Sequence, residues 1–255
     1  MYIIELKGLT KYFGGLAALE EVSFRIKDNC IFSIIGPNGA GKTTLFNCLT
    51  GLTKPSRGEI LFKGTNIVGL PPHKITEAGI ARTFQNIRLF KEMTVLENVL
   101  VGQHTCYRQN IFDSLLRTGT FKKEEEELRQ RACEFLELVG LHEEHKKLAG
   151  ELPYGSQRRL EIARALATGA TVILLDEPTA GMNPQETQEM MELMKRLKEL
   201  GKTVVLIEHD MKVVMGISEW IVVLDHGVKI SEGTPDVIKN DPLVIEAYLG
   251  KEIHA

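Results

Sequence analysis

The run Gly36-Pro-Asn-Gly-Ala-Gly-Lys-Thr43 spells G-x-x-x-x-G-K-T, with the apolar stretch Ile31-Phe-Ser-Ile-Ile35 before it and Thr44-Leu-Phe-Asn-Cys-Leu49 after it. On a strand, a loop and a helix in that order, the pattern makes a phosphate-binding loop. Its glycines let successive backbone N–H groups turn inward toward an anion, and the helix that follows adds the positive end of its dipole. Lys42 would set an ammonium against the β- and γ-phosphates of a triphosphate, and Thr43 would offer a hydroxyl to Mg²⁺. The competing interpretation, an ordinary glycine-rich turn, leaves the flanking strand and helix unexplained.

A triphosphate site that works on its ligand also needs carboxylates. Thr171-Val-Ile-Leu-Leu175 is a continuous apolar run of the kind a strand covered on both faces shows, and it ends in Asp176-Glu177. Asp176 is placed to hold Mg²⁺ and Glu177 to polarise a water for attack on the γ-phosphate; the alternative is a surface acidic pair that follows a core strand. A second buried run, Thr203-Val-Val-Leu-Ile207, ends in Glu208-His209-Asp210. Open α/β sheets bind ligands outside the carboxyl ends of their strands, so His209 falls on the same edge as Thr43 and Asp176. It is either a structural histidine or one that contacts the γ-phosphate or the attacking water. Gly79-Ile-Ala-Arg-Thr-Phe-Gln85 is a short β-like run that ends on a neutral amide, suited to orienting Mg²⁺ or water, although surface glutamines are common.

Those residues must be positioned by an α/β scaffold, and the length of 255 residues suffices for one large domain with a sizeable core. From Tyr2 to about Ile35 the chain alternates: Ile3, Glu5 and Leu6, a loop, then Leu19 through Ser33 with Val22, Phe24 and Ile26 on one face. This predicts β-structure that feeds the phosphate-loop strand. In the loop between, Tyr12 and Phe13 stand beside Gly14-Gly15, where a ring would either stack on a nucleobase or pack in the core. From Val95 to about Leu148 strand signals vanish. Phe112, Leu115 and Leu116, then Phe135, Leu136, Leu138, Val139 and Leu141, recur at helical spacings, and Glu124 to Glu127 form a solvated acidic face. Leu152-Pro-Tyr-Gly-Ser156 reads as a loop that opens onto a helix from Gln157 to Ala167, aiming free N–H groups at whatever lies ahead. Gln185 to Leu200 reads as another helix, with Met190, Met191 and Met194 as core filler, and residues 220–231 as a closing hairpin.

Composition narrows the classes further. A formal charge of −3 gives no broad cationic field, so a nucleic-acid partner is not expected. No apolar run approaches the length needed to cross a bilayer, so any membrane role is expected to be peripheral. Cys30, Cys48, Cys106 and Cys133 are scattered without C-x-x-C spacing and read as reduced thiols of a cytosolic protein. No histidine cluster suggests a transition metal.

Taken together these motifs resemble the ATP-binding cassette of ABC transporters over essentially the whole chain. Gly36 to Thr43 resemble its Walker A loop, Val172 to Asp176 with Glu177 its Walker B strand and catalytic glutamate, Gln85 its Q-loop glutamine, and His209 its switch histidine. Phe13 corresponds to the adenine-stacking aromatic, with Tyr12 as second choice. The resemblance implies a P-loop NTPase (RecA-like) α/β core with a mostly parallel sheet, an N-terminal antiparallel β subdomain and an inserted helical subdomain. One domain spans 1–255, with 1–94 and 153–255 as the ATP-binding core and 95–152 as the helical lobe. It implies ATP bound by Phe13, Gly36, Pro37, Asn38, Gly39, Ala40, Gly41, Lys42, Thr43 and Thr44, catalysis by Glu177, His209 and Gln85, and Mg²⁺ held by Thr43, Gln85 and Asp176. It also implies that two cassettes pair head to tail, Pro153, Tyr154, Gly155, Ser156 and Gln157 acting in trans on the partner's ATP.

Two departures stand out. The signature L-S-G-G-Q-Q of the family is L-P-Y-G-S-Q here, which removes a hydroxyl at Pro153 and adds bulk at Tyr154. Ser156 as helix N-cap, with Gly155, is expected to keep the dipole and N–H contacts. Asn183 stands where many relatives carry an aspartate. Within the family, Gly79 to Gln85, Met93-Thr-Val-Leu-Glu-Asn-Val99, the helical insert, Leu152-Pro-Tyr-Gly155 with Arg158-Arg-Leu-Glu-Ile-Ala-Arg164, Glu177 to Pro184 and the tail Ala247-Tyr-Leu-Gly250 are similar to the ATPase subunits of branched-chain amino-acid importers. Urea and short-chain amide importers share much of this pattern, and a poorly hydrolysing dimerisation module is the other alternative. The subgroup implies integral membrane permease subunits, a second ABC ATPase, like or unlike, and indirectly an extracytoplasmic binding protein, with this chain at the cytoplasmic face of a prokaryotic plasma membrane.

Overall fold

A computed structural model describes residues 1–106 and 119–249. Two sheets organise them. The first is antiparallel with order β2-β1-β4-β5, from β1 (Tyr2–Phe13), β2 (Leu16–Lys27), β4 (Arg57–Phe62) and β5 (Thr65–Asn66). The second has order β10-β9-β3-β8-β7-β6, from β3 (Ile31–Ile35), β6 (Ile80–Arg82), β7 (Val172–Asp176), β8 (Thr203–Ile207), β9 (Trp220–Asp225) and β10 (Val228–Gly233). Every pairing in it is parallel except the β9–β10 hairpin at one edge. The carboxyl ends of β3, β6, β7, β8 and β9 therefore share one rim.

The apolar runs make these strands central. β3, β7 and β8 are buried at every position. Their alternate residues face two cores: Ile173, Leu175, Val204 and Leu206 join the helices on one side, and Leu174, Val205 and Ile207 join the antiparallel sheet and α1 (Lys42–Leu49) on the other. Each such side chain contributes about 1.5–3 kcal/mol by leaving water, and the polar residue in the middle of β3, Ser33, shares a hydrogen bond with the Ser218 hydroxyl (2.5 Å). The expected loop at Lys11–Phe13 is strand instead. Tyr12 pairs with Ala17 and Phe13 with Leu16, so only Gly14-Gly15 make the turn. The expected single stretch from Leu19 to Ser33 is likewise divided, because Asn29 turns the chain at φ 52° between β2 and β3.

Beyond α2 (Pro72–Ala78), the helical stretch begins at α3 (Val95–Gly102), capped by Thr94 and Glu97 in a reciprocal box. It continues through α4 (Gly119–Leu138) and returns at Leu148, which bridges Thr94; Val95 N–H donates to the Lys147 carbonyl and Ala149 N–H to that of Met93. Its two ends are thus strapped side by side. Phe112, Leu115 and Leu116 lie outside the described residues. Leu136, Val139 and Leu141 pack with Val95, Val99 and Leu160 in the core that also covers the parallel sheet, while Glu125 to Glu127 are exposed. The remaining helices are α5 (Tyr154–Ala167), α6 (Pro184–Glu199), α7 (Met211–Ile217), α8 (Pro235–Lys239) and α9 (Pro242–Leu249). Met190 and Met194 of α6 are core residues. Cys30 and Cys48 are buried free thiols whose pKa burial pushes up to about 11, leaving them protonated at neutral pH.

Candidate functional site

The loop from Gly36 to Gly41 joins β3 to α1 at the carboxyl rim. Lys42, the first residue of α1, is buried and its ammonium donates to the carbonyls of Gly36 (2.5 Å) and Pro37 (2.9 Å), which pulls the loop into a ring. Gly41 sits at φ 96°, and a Cβ there would lie 2.5 Å from the Ala18 carbonyl oxygen, so the loop fits against β2 only because the position has no side chain. A cavity of about 530 Å³ opens over the loop, lined by Asn38 to Thr44, by Leu16 to Ala18, and by Gln85, Glu177 and His226. A larger cavity of about 740 Å³ lies away from the rim, against Phe24, Phe32 and Trp220. Several charges around it pair among themselves, Lys7 with Glu5 at 3.1 Å and Lys229 with Glu232 at 2.9 Å.

Opposite the loop, β7 delivers Asp176 and Glu177. Glu177 takes a left-handed conformation at φ 51°, held by its N–H donating to the Ile207 carbonyl (2.9 Å). Its Oε2 accepts from Gln85 Nε2 (2.9 Å) and lies 3.0 Å from His209 Nε2, so three residues far apart in sequence meet on one carboxylate oxygen. Asp176 is buried and paired at 2.6 Å with Arg82, whose other terminal nitrogen donates to Asn47 Oδ1 (2.7 Å). Glu208, also buried, accepts from the Thr179 N–H (2.9 Å) and hydroxyl (2.5 Å) and so fixes the turn after Glu177. Phe13 stands at the hairpin tip, half exposed, with Lys11 Nζ 4.9 Å from its ring centre; Tyr12 beside it is also exposed.

The stretch at Leu152–Gln157 departs from expectation. The helix begins at Tyr154, three residues early, with Pro153 at the cap position in extended conformation (φ −55°, ψ 155°). Ser156 is therefore inside the first turn and does not cap the helix; its hydroxyl accepts from Arg159 Nη2 (3.1 Å). Gly155, expected in the loop, lies in the first turn of the helix and is a close-approach position, since a Cβ there would lie 2.9 Å from the Glu186 carboxylate. Gln157 donates from its amide to the Leu152 carbonyl (2.8 Å).

Asn183 has a simpler account. It caps α6, its Oδ1 accepting from the N–H groups of Gln185 (2.9 Å) and Glu186 (3.0 Å), while Glu186 returns a bond to the Asn183 N–H (3.0 Å). Asparagine and aspartate serve this position about equally. Asn183→Asp is expected to leave chemical stability unchanged, and Asn183→Ala to lower it by about 1 kcal/mol in urea denaturation.

Four residues that lie within the quoted stretches but were given no role shape this rim: Arg82, Arg158, Glu161 and Glu208. Arg158 and Glu161 are buried and paired at 3.3 Å, and burial pushes the Glu161 carboxyl up against the pull of the Arg88 N–H and of Arg158 and Arg164. An arginine and a glutamate three apart on a helix whose neighbours are apolar is a sequence signal for such a pair. Glu208 was legible as a carboxylate that directly follows a buried strand.

Comparison with known proteins gives the family. The ABC transporter family matches residues 19–180, and the family described as branched-chain amino acid ATP-binding cassette transporter matches residues 228–254. The chain is 50% identical over 250 residues to the high-affinity branched-chain amino acid transport ATP-binding protein BraF of Pseudomonas aeruginosa, covering 98% of each. It is 48% identical to the corresponding LivG protein of Escherichia coli, again over 98% of each. Among solved structures it resembles the ADP conformation of MJ1267, an ATP-binding cassette of an ABC transporter, at a TM-score of 0.86 and 36% identity, covering 98% of this chain and 99% of that one. It also resembles the dimeric post-hydrolysis state of the cassette MJ0796 bound to ADP and Pi, at a TM-score of 0.77 and 33% identity, covering 91% and 98%.

Proposed function

Because the chain belongs to the ABC transporter family as an ATP-binding cassette, we infer that it is the ATP-hydrolysing subunit of an importer of branched-chain amino acids. The observation that carries the catalytic part is the meeting of Gln85 and His209 on the Glu177 carboxylate at the edge of the phosphate-loop cavity. The carboxyl-terminal match over residues 228–254 supports the substrate class.

In this reading the N–H groups of Asn38 to Thr44 cradle the phosphates, with Gly36, Pro37, Asn38, Gly39 and Ala40 forming the curl although Pro37 has no N–H to give, and Lys42 exchanges its loop carbonyls for phosphate oxygens. The rings at Phe13 or Tyr12 give the base a stacking surface. Thr43, Asp176 and Gln85 supply only hard oxygen donors, which is the set Mg²⁺ takes. Mg²⁺, when bound, neutralises charge on the β- and γ-phosphates. Glu177 accepts a proton from the attacking water while His209 and Gln85 hold its carboxylate in place.

The start of α5 completes the proposal. Pro153 ends the preceding loop, and the first-turn N–H groups of Tyr154, Gly155 and Ser156 carry the positive end of a helix of 14 residues, a surface suited to the γ-phosphate of a partner cassette. Gln157 closes that turn. Loss of the signature serine is thereby offset by backbone donors, which favours a hydrolysing cassette over an inert dimerisation module.

The partners follow from what this chain lacks: among the described residues no helix is long and apolar enough to cross a membrane. Separate permease subunits would form the channel, with residues 95–152 as the helical lobe of a single domain 1–255, a second like or unlike cassette as dimer partner, and an extracytoplasmic binding protein acting indirectly. The chain would sit on the cytoplasmic face of a prokaryotic plasma membrane. Uptake of labelled leucine is the test. Cells from which the coding sequence is deleted should lose it and regain it with the wild-type chain but not with Glu177→Gln. Lost urea uptake with intact leucine uptake would transfer the assignment to an amide importer.

A further inference from the structure

We propose that Tyr154 and Arg158 form a positioning bridge that ties the segment carrying Gln85 to the first turn of α5, so that the two nucleotide sites of a cassette pair sense each other through this chain. The inference rests on the functional reading above, in which Gln85 serves the ATP bound by this chain and the start of α5 serves the ATP of a partner.

Residues Phe84 to Arg88 follow β6 and belong to no strand or helix, so their backbone polar groups need other partners. Side chains of α5 supply them. Arg158 donates from Nη1 to the Phe84 carbonyl (2.5 Å) and from Nη2 to the Gln85 carbonyl. Glu161 accepts from the Arg88 N–H (2.8 Å), and Arg164 donates to the Arg88 carbonyl (2.5 Å). The Gln85 segment therefore hangs on one helix, and that helix begins at Tyr154.

Arg158 is the node. Its Nε and Nη2 donate to the Tyr154 hydroxyl at 3.1 and 2.9 Å, and Nη1 also reaches Glu161 Oε2 at 3.3 Å. With the two carbonyls, this uses all five N–H donors of the guanidinium, in a residue that is 3% exposed. A fork so filled cannot move one arm without the others. Lysine, a point charge with three donors, cannot reproduce it.

Tyr154 also lies next to a second segment of the site. It is 45% exposed, while its hydroxyl is locked on Arg158. A Cβ placed on Gly181 would lie 3.6 Å from ring atom Cε1, so the ring stands beside the turn between Glu177 and α6, with room there for one added methyl group. A partner's nucleotide that presses on the start of α5 displaces this ring, the ring displaces the guanidinium, and the guanidinium shifts the Gln85 carbonyl. Gln85 in turn holds Glu177 at 2.9 Å. Tyr154 and Arg158 are positioning residues in this scheme, since neither touches the ATP bound by its own chain. A glycine at position 154, usual in the family, has no hydroxyl with which to do this.

The test uses the full chain carrying Tyr154→Phe, which removes one oxygen and keeps the ring. Amide hydrogen exchange in residues 84–88 should speed up roughly tenfold while β7 and β8 exchange as in the wild type. The kcat for ATP should fall roughly three- to tenfold with KM changed by less than about twofold, because the substitution keeps the Tyr154 N–H, the group assigned to the partner's phosphate, and removes only the hydroxyl that Arg158 holds. Arg158→Lys should give the same pattern more strongly, and the double variant should be no worse than Arg158→Lys alone, as two members of one network behave. Exchange in residues 84–88 at the wild-type rate in Tyr154→Phe, or effects that add in the double variant, would overturn the bridge. Hydrolysis by the unmodified chain, abolished by Glu177→Gln, reports separately on the ATPase reading, and the exchange result stands independently of it.

Discussion

Glu177→Gln is expected to lower kcat for ATP hydrolysis by about a thousandfold while leaving ATP affinity unchanged, since removal of a general base costs on the order of 10²–10⁴. The substitution isolates proton acceptance. Glutamine has the same shape, can keep the left-handed backbone at φ 51° and the Ile207 hydrogen bond, and still offers an oxygen to Gln85 and His209. What it loses is the negative charge that takes the proton of water. Because the spent nucleotide no longer forms, a cassette pair closed on ATP should persist, and sedimentation of Glu177→Gln should shift from monomer to dimer on addition of ATP. Single-turnover hydrolysis within about tenfold of wild type would remove Glu177 from the role of base.

Gly41→Ala is expected to cost about 3 kcal/mol in stability and to weaken ATP binding by at least about a hundredfold, because backbone strain and a core clash combine there. The added Cβ would lie 2.5 Å from the Ala18 carbonyl oxygen and 2.9 Å from Leu19 Cδ2, at a φ of 96°. Neither neighbour can yield cheaply: Leu19 is fully buried and Ala18 is backbone of β2. Relief must come from moving the start of α1, which carries Lys42 and Thr43. Gly39→Ala is the informative contrast. At φ 82° it is also left-handed, but a Cβ there meets nothing within 4 Å, so only the strain of about 1 kcal/mol remains. Urea denaturation and titration with a fluorescent ATP analogue would separate the two. Equal effects of both variants would mean that loop strain, not the approach of β2, limits binding.

Much of the site was legible because its chemistry is local. The phosphate loop is eight consecutive residues whose glycines, lysine and threonine act through their own backbone, and the acidic ends of β7 and β8 announce themselves as polar residues that terminate runs buried on both faces. The start of α5 was misplaced for an equally local reason: proline and glycine normally interrupt helices, yet Pro153 has the extended backbone of a cap and Gly155 lies against Glu186. The hairpin of β1 and β2 was shortened because Tyr12 and Phe13 were grouped with the glycines that follow them, whereas the ladder continues to Phe13.

By itself, then, the sequence determined the nucleotide-binding α/β class, the order of the phosphate loop, acidic strand end and histidine along the chain, and the family to which the chain belongs. Only the tertiary structure decided that Gln85 and His209 meet on one oxygen of Glu177, that Arg82 neutralises Asp176, and that Arg158 spends all its donors between Tyr154, Glu161 and the Gln85 segment. The physical reason is that periodicity and turn chemistry act over a few residues, whereas a buried charge takes its partner from whatever the packed strands bring within about 3 Å, and Gln85 and Glu177 are 92 residues apart along the chain.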